Sequence, residues 1–305
     1  MDRGRNFLQP DFVQSLIDGF PQKDGAYIEY CRADDGNIGT DYANSNIAAF
    51  PPAFQELDRV LRGTELRAFL EAITGIDGIV DDPDYFGGGI RESQSNTFLP
   101  PHIDFNHHPR TLLHRRLNLL LYLNRDWEED WGGAIQVHRD PRVCRDDSLV
   151  ASVPPVLNRV FLFETSERSW HGFNRLQPPP GRSRRAFTIA DRPDAAEVKL
   201  HNTEYVEPPL PARFAPGYAL TAEDMGLLTE ALVRRDGRIE MLYRIRSEAD
   251  QKAVHVWKEY EYYLARSQQL EAELAAARQP RPTAPAKRGG KWRRWTGLSW
   301  GPNSR

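Results

Sequence analysis

His102-Ile103-Asp104 and His171 are the residues of this chain whose types and spacing could do chemistry. Two imidazoles and one carboxylate can occupy one face of an octahedral metal ion such as iron(II) and leave three positions open, which is what separates an oxygen-activating site from a closed structural one. Residues i and i+2 of an extended strand point to the same side, so His102 and Asp104 can reach one ion together. The third ligand, His171, must then come from a strand distant in sequence and adjacent in space. A lone His-x-Asp among eight histidines is weak evidence, so the surroundings decide its meaning.

The chain has 305 residues, more than a usual single domain, which suggests one large catalytic domain with appendages. Hydrophobic content of 40% and aromatic content of 10% suffice for a substantial core. A formal net charge of -3 argues against a nucleic-acid binder. The two cysteines, Cys31 and Cys144, are far apart, which excludes a disulfide framework and a thiolate zinc cluster and fits a reducing compartment. The N-terminus lacks an apolar signal core, and no apolar run approaches the roughly 18 residues of a membrane span. The expected location is cytoplasmic.

The elements that must position the triad follow from periodicity. Residues 1–80 are expected to be helical support, with helix-like spacing of Phe54, Leu57, Val60 and Leu61, then Leu66, Phe69, Leu70 and Ile73. Residues 81–212 change character. Short apolar runs (Leu117 to Leu123, Ala134 to Val137, Val160 to Phe163, Ala186 to Ala190) alternate with turn signals, as in an all-β sandwich or barrel. Gly132-Gly133 fits a turn into a strand, and Pro178-Pro179-Pro180-Gly181 a stiff loop. Residues 213–278 return to helical spacing. Val256, Tyr260, Tyr263, Ser267, Leu270, Leu274 and Ala277 form about three heptads, which fit a long helix packed on its own domain as well as a homodimer seam. The tail, 279–305, contains Lys287, Arg288, Lys291, Arg293, Arg294 and Arg305, no acid, and Trp292, Trp295 and Trp300. Its composition suggests disorder, with residues 281–305 able to meet an anionic partner such as a membrane surface or RNA.

Around the triad, Asn118, Leu120 and Tyr122 alternate on one strand face, and Tyr122-Leu123-Asn124-Arg125-Asp126-Trp127 runs into Gly132-Gly133. An apolar strand, Val160 to Phe163, precedes Ser169-Trp170-His171-Gly172, and Arg182, Arg184 and Arg185 lead into Ala186-Phe187-Thr188-Ile189. From about Phe98 to Ala190 the chain resembles the prolyl-4-hydroxylase-like branch of the iron(II)/2-oxoglutarate-dependent dioxygenases. The resemblance implies a mainly β fold, a double-stranded β-helix (jelly roll) flanked by N-terminal and C-terminal helices.

Carried over by position, the resemblance makes His102, Asp104 and His171 the iron ligands. Asp104 then favours hydroxylation, because in related halogenases a small residue stands there and chloride fills the vacancy. The cosubstrate 2-oxoglutarate needs a cation for its distal carboxylate, a role that suits a bidentate arginine. Arg184 is the first choice and Arg185 the alternative, because a one-residue slip exchanges the two side chains. Tyr122 matches the family tyrosine that reaches the cosubstrate carboxylate. The implied reaction uses Fe(2+), 2-oxoglutarate and O2, releases succinate and CO2, and hydroxylates an unactivated C–H bond. A peptidyl residue, amino acid, glycan or natural product all fit as substrate, because likeness of fold does not transfer substrate.

His107 and His108 stand beside the triad and could line a substrate mouth or lie exposed on a loop. His114, His138, His201 and His255 have no partner spacing and read as structural or surface residues. Arg110, Arg115 and Arg116 form a basic patch, either a solvated face or a seat for an anionic substrate group. Two other readings remain: a non-catalytic jelly-roll binding or scaffold protein acting through its C-terminal helix and tail, and a non-redox cupin-type enzyme.

Overall fold

A computed structural model of the chain describes residues 6–21, 28–31, 40–82, 84–111, 113–144, 147–192 and 200–278. The basic tail lies outside the described residues. In chain order the elements are α1 (Pro10–Asp18), β1 (Ile28–Cys31), β2 (Thr40–Asn44), α2 (Pro52–Leu61), α3 (Thr64–Thr74), β3 (Val80–Asp81), β4 (Gly89–Ser93), β5 (Leu99–Ile103), β6 (Leu117–Tyr122), β7 (Ile135–His138), β8 (Leu149–Val153), β9 (Val160–Glu164), β10 (His171–Phe173), β11 (Arg184–Arg192), β12 (Glu204–Tyr205) and α4 (Ala222–Arg278). The strands form two antiparallel sheets. The larger runs β1-β2-β4-β11-β6-β9, with β3 also paired to β11, and the smaller runs β12-β5-β10-β7-β8. Strands distant in sequence become neighbours in both sheets, as a double-stranded β-helix requires.

The period of two along β6 and β11 divides the molecule into a helix-packed layer and a barrel interior. Leu119 and Leu121 of β6, with Phe187 and Ile189 of β11, join Leu16 and Phe20 and the α2 residues Phe54, Leu57 and Leu61 in one core cluster. Burying each such side chain contributes roughly 1.5–3 kcal/mol, so these helices hold the large sheet from behind. The intervening residues face inward, where Tyr122 and Ala186 pack with Ile135, Leu120 and Phe161. Register ties the strands together, with Ala186 opposite Tyr122 and Thr188 opposite Leu120.

Two expectations are corrected. β1 and β2 fall in the 1–80 stretch expected to be helical. β2 has no apolar alternation and buries Asp41 and Asn44, so what makes it a strand is its ladder with β4, a contact invisible to periodicity. The strand of the His-x-Asp segment also ends at Ile103, so Asp104 stands one residue beyond the ladder. The chain divides into two compact units, 1–245 and 246–305. Within the second, the apolar heptad residues Val256, Tyr260, Tyr263, Leu270 and Leu274 are exposed. No helix among the described residues is long and apolar enough to cross a membrane.

Candidate metal centre and cosubstrate pocket

β5 and β10 pair antiparallel with His171 directly opposite His102, which brings the two imidazoles to one spot, 4.2 Å between ring centroids. The close approach of the strands needs Gly172: a Cβ there would lie 2.4 Å from the carbonyl oxygen of Leu99. Asp104 completes the group, and one donor atom from each of the three residues lies within 4.8 Å of the others. Asp104 Oδ1 is 3.6 Å from His102 Nε2, and Oδ2 is 3.7 Å from His171 Nε2.

The tautomers suit a metal. His102 Nδ1 lies 3.0 Å from the carbonyl oxygen of Pro100, and His171 Nδ1 lies 2.8 Å from that of Ser169. A carbonyl can only accept, so each Nδ1 carries the proton and each Nε2 turns a lone pair toward the shared centre. Burial, reinforced by repulsion from His102 and only partly offset by Asp104, lowers the His171 pKa to about 4, so its lone pair is available at neutral pH. For Asp104, burial pushes the pKa up. Arg115, His171 and His102 outweigh it and hold the carboxyl well below the usual range, so it is a carboxylate. Asn118 Nδ2 donates to Asp104 Oδ2 at 2.9 Å, and an Arg115 guanidinium nitrogen lies 3.4 Å from the same oxygen. Both groups converge on Oδ2, while Oδ1 faces His102 Nε2. The residues present fit a divalent metal with an open face.

The triad lines a cavity of about 330 Å³ whose walls include Leu99, Leu120, Ile135, Phe173 and Arg184. Arg184 is 4% exposed, its Nε donates to the carbonyl oxygen of Gly133 at 2.8 Å, and a terminal nitrogen donates to Tyr122 Oη at 3.2 Å. Gly133 permits this: at φ 71 a side chain would be strained, and its Cβ would meet Leu176 at 2.4 Å and Arg184 at 3.0 Å. Arg185, one residue on, turns to the helix side, pairs with Glu92 at 3.2 Å and lies over the Phe20 ring. The alternation of β11 therefore separates the two arginines, and only Arg184 is in the cavity. Tyr122 is fully buried and does not line the cavity; it reaches that space through Arg184. Burial raises its pKa against the opposing pull of Arg184, so the phenol stays protonated.

A model of the 2OG-Fe(II) oxygenase superfamily matches residues 89–189, the stretch from β4 through β11 that carries the triad and Arg184. The likeness to that superfamily is confined to this stretch of the barrel. The cofactor is iron(II), with 2-oxoglutarate and O2 as cosubstrates. Similar solved structures include a Pseudomonas putida prolyl-4-hydroxylase (18% identity, 63% of this chain and 91% of that one covered, TM-score 0.43). Others are a Trichoplax adhaerens prolyl hydroxylase in complex with a hypoxia inducible factor peptide fragment (17%, 62% and 81%, TM-score 0.43) and HygX from Streptomyces hygroscopicus with nickel and 2-oxoglutarate bound (13%, 62% and 81%, TM-score 0.41). No curated protein matches the chain.

A second His/Asp group stands close by. Asp82, Asp84 and His108 also bring donor atoms within 4.8 Å of one another. Here His108 Nδ1 accepts the backbone N–H groups of Arg110 at 3.2 Å and Thr111 at 3.1 Å, so the proton of the neutral ring sits on Nε2, 3.2 Å from Asp84 and 3.5 Å from Asp82. A ring nitrogen that carries a proton cannot ligate, so His108 acts as a clasp on the backbone of Arg110 and Thr111 through Nδ1, while its buried Nε2 stands near Asp82 and Asp84 without a hydrogen bond among the described residues. His108 is 1% exposed, neither on an exposed loop nor at the mouth. His138 contacts Ser148, His201 pairs with Glu167, and His255 with Glu259.

Asn118 was legible as an inward strand residue, although its role on Asp104 was not. Asp41, Arg91, Phe86 and Tyr205 also line the cavity and carried no sequence signal, because the elements holding them are short or irregular.

Proposed function

We propose that the chain is an iron(II)- and 2-oxoglutarate-dependent hydroxylase of an unactivated C–H bond, working in a reducing cytoplasm. The observation that carries this reading is the complete ligand set: both Nε2 lone pairs turned to one centre and a carboxylate at Asp104, where a halogenase would leave room for chloride. Iron(II) held there would, with 2-oxoglutarate and O2, supply the oxidising chemistry that replaces a C–H hydrogen by hydroxyl, with succinate and CO2 as the other products. The chain's own groups do the positioning. His102 and His171 are kept in the ligating tautomer by the Pro100 and Ser169 carbonyls. Asn118 fixes the Asp104 carboxylate. Arg184, with its guanidinium plane set by Gly133 and Tyr122, offers a bidentate fork to the distal carboxylate of 2-oxoglutarate. Leu99, Leu120, Ile135 and Phe173 exclude water from the reacting centre.

Anaerobic addition of iron(II) and 2-oxoglutarate should produce a weak visible charge-transfer band, and admission of O2 should yield succinate. Absence of both from reconstituted protein would favour a jelly-roll binder instead.

A further inference from the structure

The arginines of the 110–116 segment have separate fates. Arg110 is exposed and pairs with Asp84, and Arg116 pairs with Glu164. Arg115 turns into the cavity and is 2% exposed. Among the described residues its Nε has no hydrogen-bond partner and its one ion-pair contact is the 3.4 Å approach to Asp104 Oδ2, while the Phe105 ring lies 4.5 Å from its guanidinium carbon. Gly87 lets Phe105 and Arg115 pack close against the backbone: at φ +77, a Cβ there would stand 3.2 Å from an Arg115 terminal nitrogen and 2.8 Å from Phe105.

Charge balance turns this arrangement into a specificity argument, which rests on the oxygenase reading above. The described lining residues include three guanidiniums, Arg91, Arg115 and Arg184, and two carboxylates, Asp41 and Asp104. Arg91 is bridged to Asp41 at 3.1 Å. Arg184 is matched by the distal carboxylate of 2-oxoglutarate. Asp104 must share its charge with the metal, and Asn118 already holds its Oδ2 without any added charge. Asp82 acts on Arg115 from a distance while engaged with His108. A buried guanidinium left without a full counter-charge is costly, and a cavity that keeps one is complementary to an anion. We propose that Arg115, where it lines the cavity beside Phe105, binds an anionic group of the substrate, a carboxylate or a phosphate, and so selects an acidic substrate for the hydroxylation.

The test uses full-length protein loaded anaerobically with iron(II) and saturating 2-oxoglutarate, titrated calorimetrically with acetate, inorganic phosphate and neutral acetamide. Acetate or phosphate should bind at least tenfold more tightly than acetamide, and whichever of the two binds better identifies the anion. Arg115→Gln should erase that preference while leaving 2-oxoglutarate affinity within about twofold, and Arg110→Gln should change nothing. Failure of both acetate and phosphate to outbind acetamide overturns the proposal, as does unchanged anion binding in Arg115→Gln. Loss of iron from Arg115→Gln also overturns it, since Arg115 would then act only as a support of Asp104. Should that variant not fold, the wild-type Arg115 side-chain N–H resonance, assigned by comparison with Arg115→Lys, should shift on adding acetate or phosphate but not acetamide; a resonance unmoved by both anions overturns the proposal. Failure of the wild type to load iron or 2-oxoglutarate would instead overturn the oxygenase reading.

Discussion

Two clusters of histidine and aspartate stand near one another, and only one turns its ring lone pairs toward a shared centre. His102, Asp104 and His171 have each ring's Nδ1 against a backbone carbonyl, while His108, with Asp82 and Asp84, has its Nδ1 against two backbone amides. The first arrangement puts the protons on the far nitrogens and aims lone pairs inward. The second turns a proton toward the carboxylates and spends the lone pair on the 110 and 111 amides, as a clasp on that turn. The difference teaches that a ligand set is defined by what holds the far nitrogen as much as by the residues that converge.

The sharpest way to break this comparison is to remove a ligand. His102→Ala or Asp104→Ala should abolish iron-dependent succinate formation with the fold intact by circular dichroism, whereas His108→Ala should leave one iron per chain by metal analysis. Two irons in the wild type, or full turnover in Asp104→Ala, would sink the assignment.

Next in size is an acid effect confined to the first cluster. The folded His171 imidazole resists a proton that the unfolded chain accepts near pH 6.5, so the unfolded state binds more protons between about pH 6.5 and about 4. Metal-free protein should therefore lose stability as the pH falls through that window, by up to about 3 kcal/mol from this residue. Urea unfolding at both ends of the window should reveal the loss, and His171→Gln should flatten it. An equally steep loss in that variant would assign the acid sensitivity elsewhere.

The same inward-or-outward logic separates adjacent arginines. Arg184→Ala should raise the 2-oxoglutarate requirement about 10–100-fold, the size of a lost charge-assisted bond pair, and Arg185→Ala should change it little. The reverse ranking in succinate kinetics would shift the register of β11 by one residue. The smallest effect belongs to the clasp: His108→Ala should destabilise the fold by about 1–3 kcal/mol by leaving the Arg110 and Thr111 amides unpaired, with 2-oxoglutarate affinity unchanged.

Much of this site was legible beforehand. The strands carrying Leu117–Leu123, Val160–Phe163 and Ala186–Ala190 announce themselves by apolar runs, and the triad by ligand type and spacing. β2 was illegible because its residues are held by the β4 ladder rather than by their own pattern. The sequence leaves His108 open between loop and mouth, because nothing in His107-His108 says which backbone amides will reach a ring. Arg115 looked like its neighbours Arg110 and Arg116, and only their surroundings set it apart.

By itself the sequence determined the chemistry on offer: two imidazoles and a carboxylate, a strand face of Asn118, Leu120 and Tyr122, and a pair of candidate arginines. Those are matters of residue type and local period, which the chain carries within a few positions. The tertiary structure alone decided which nitrogen of each histidine is protonated, that Arg184 and not Arg185 enters the cavity, and that Arg115 is buried beside Asp104. Each depends on a backbone carbonyl, amide or neighbouring strand brought in from elsewhere in the chain, and such contacts exist only once the sheets have closed.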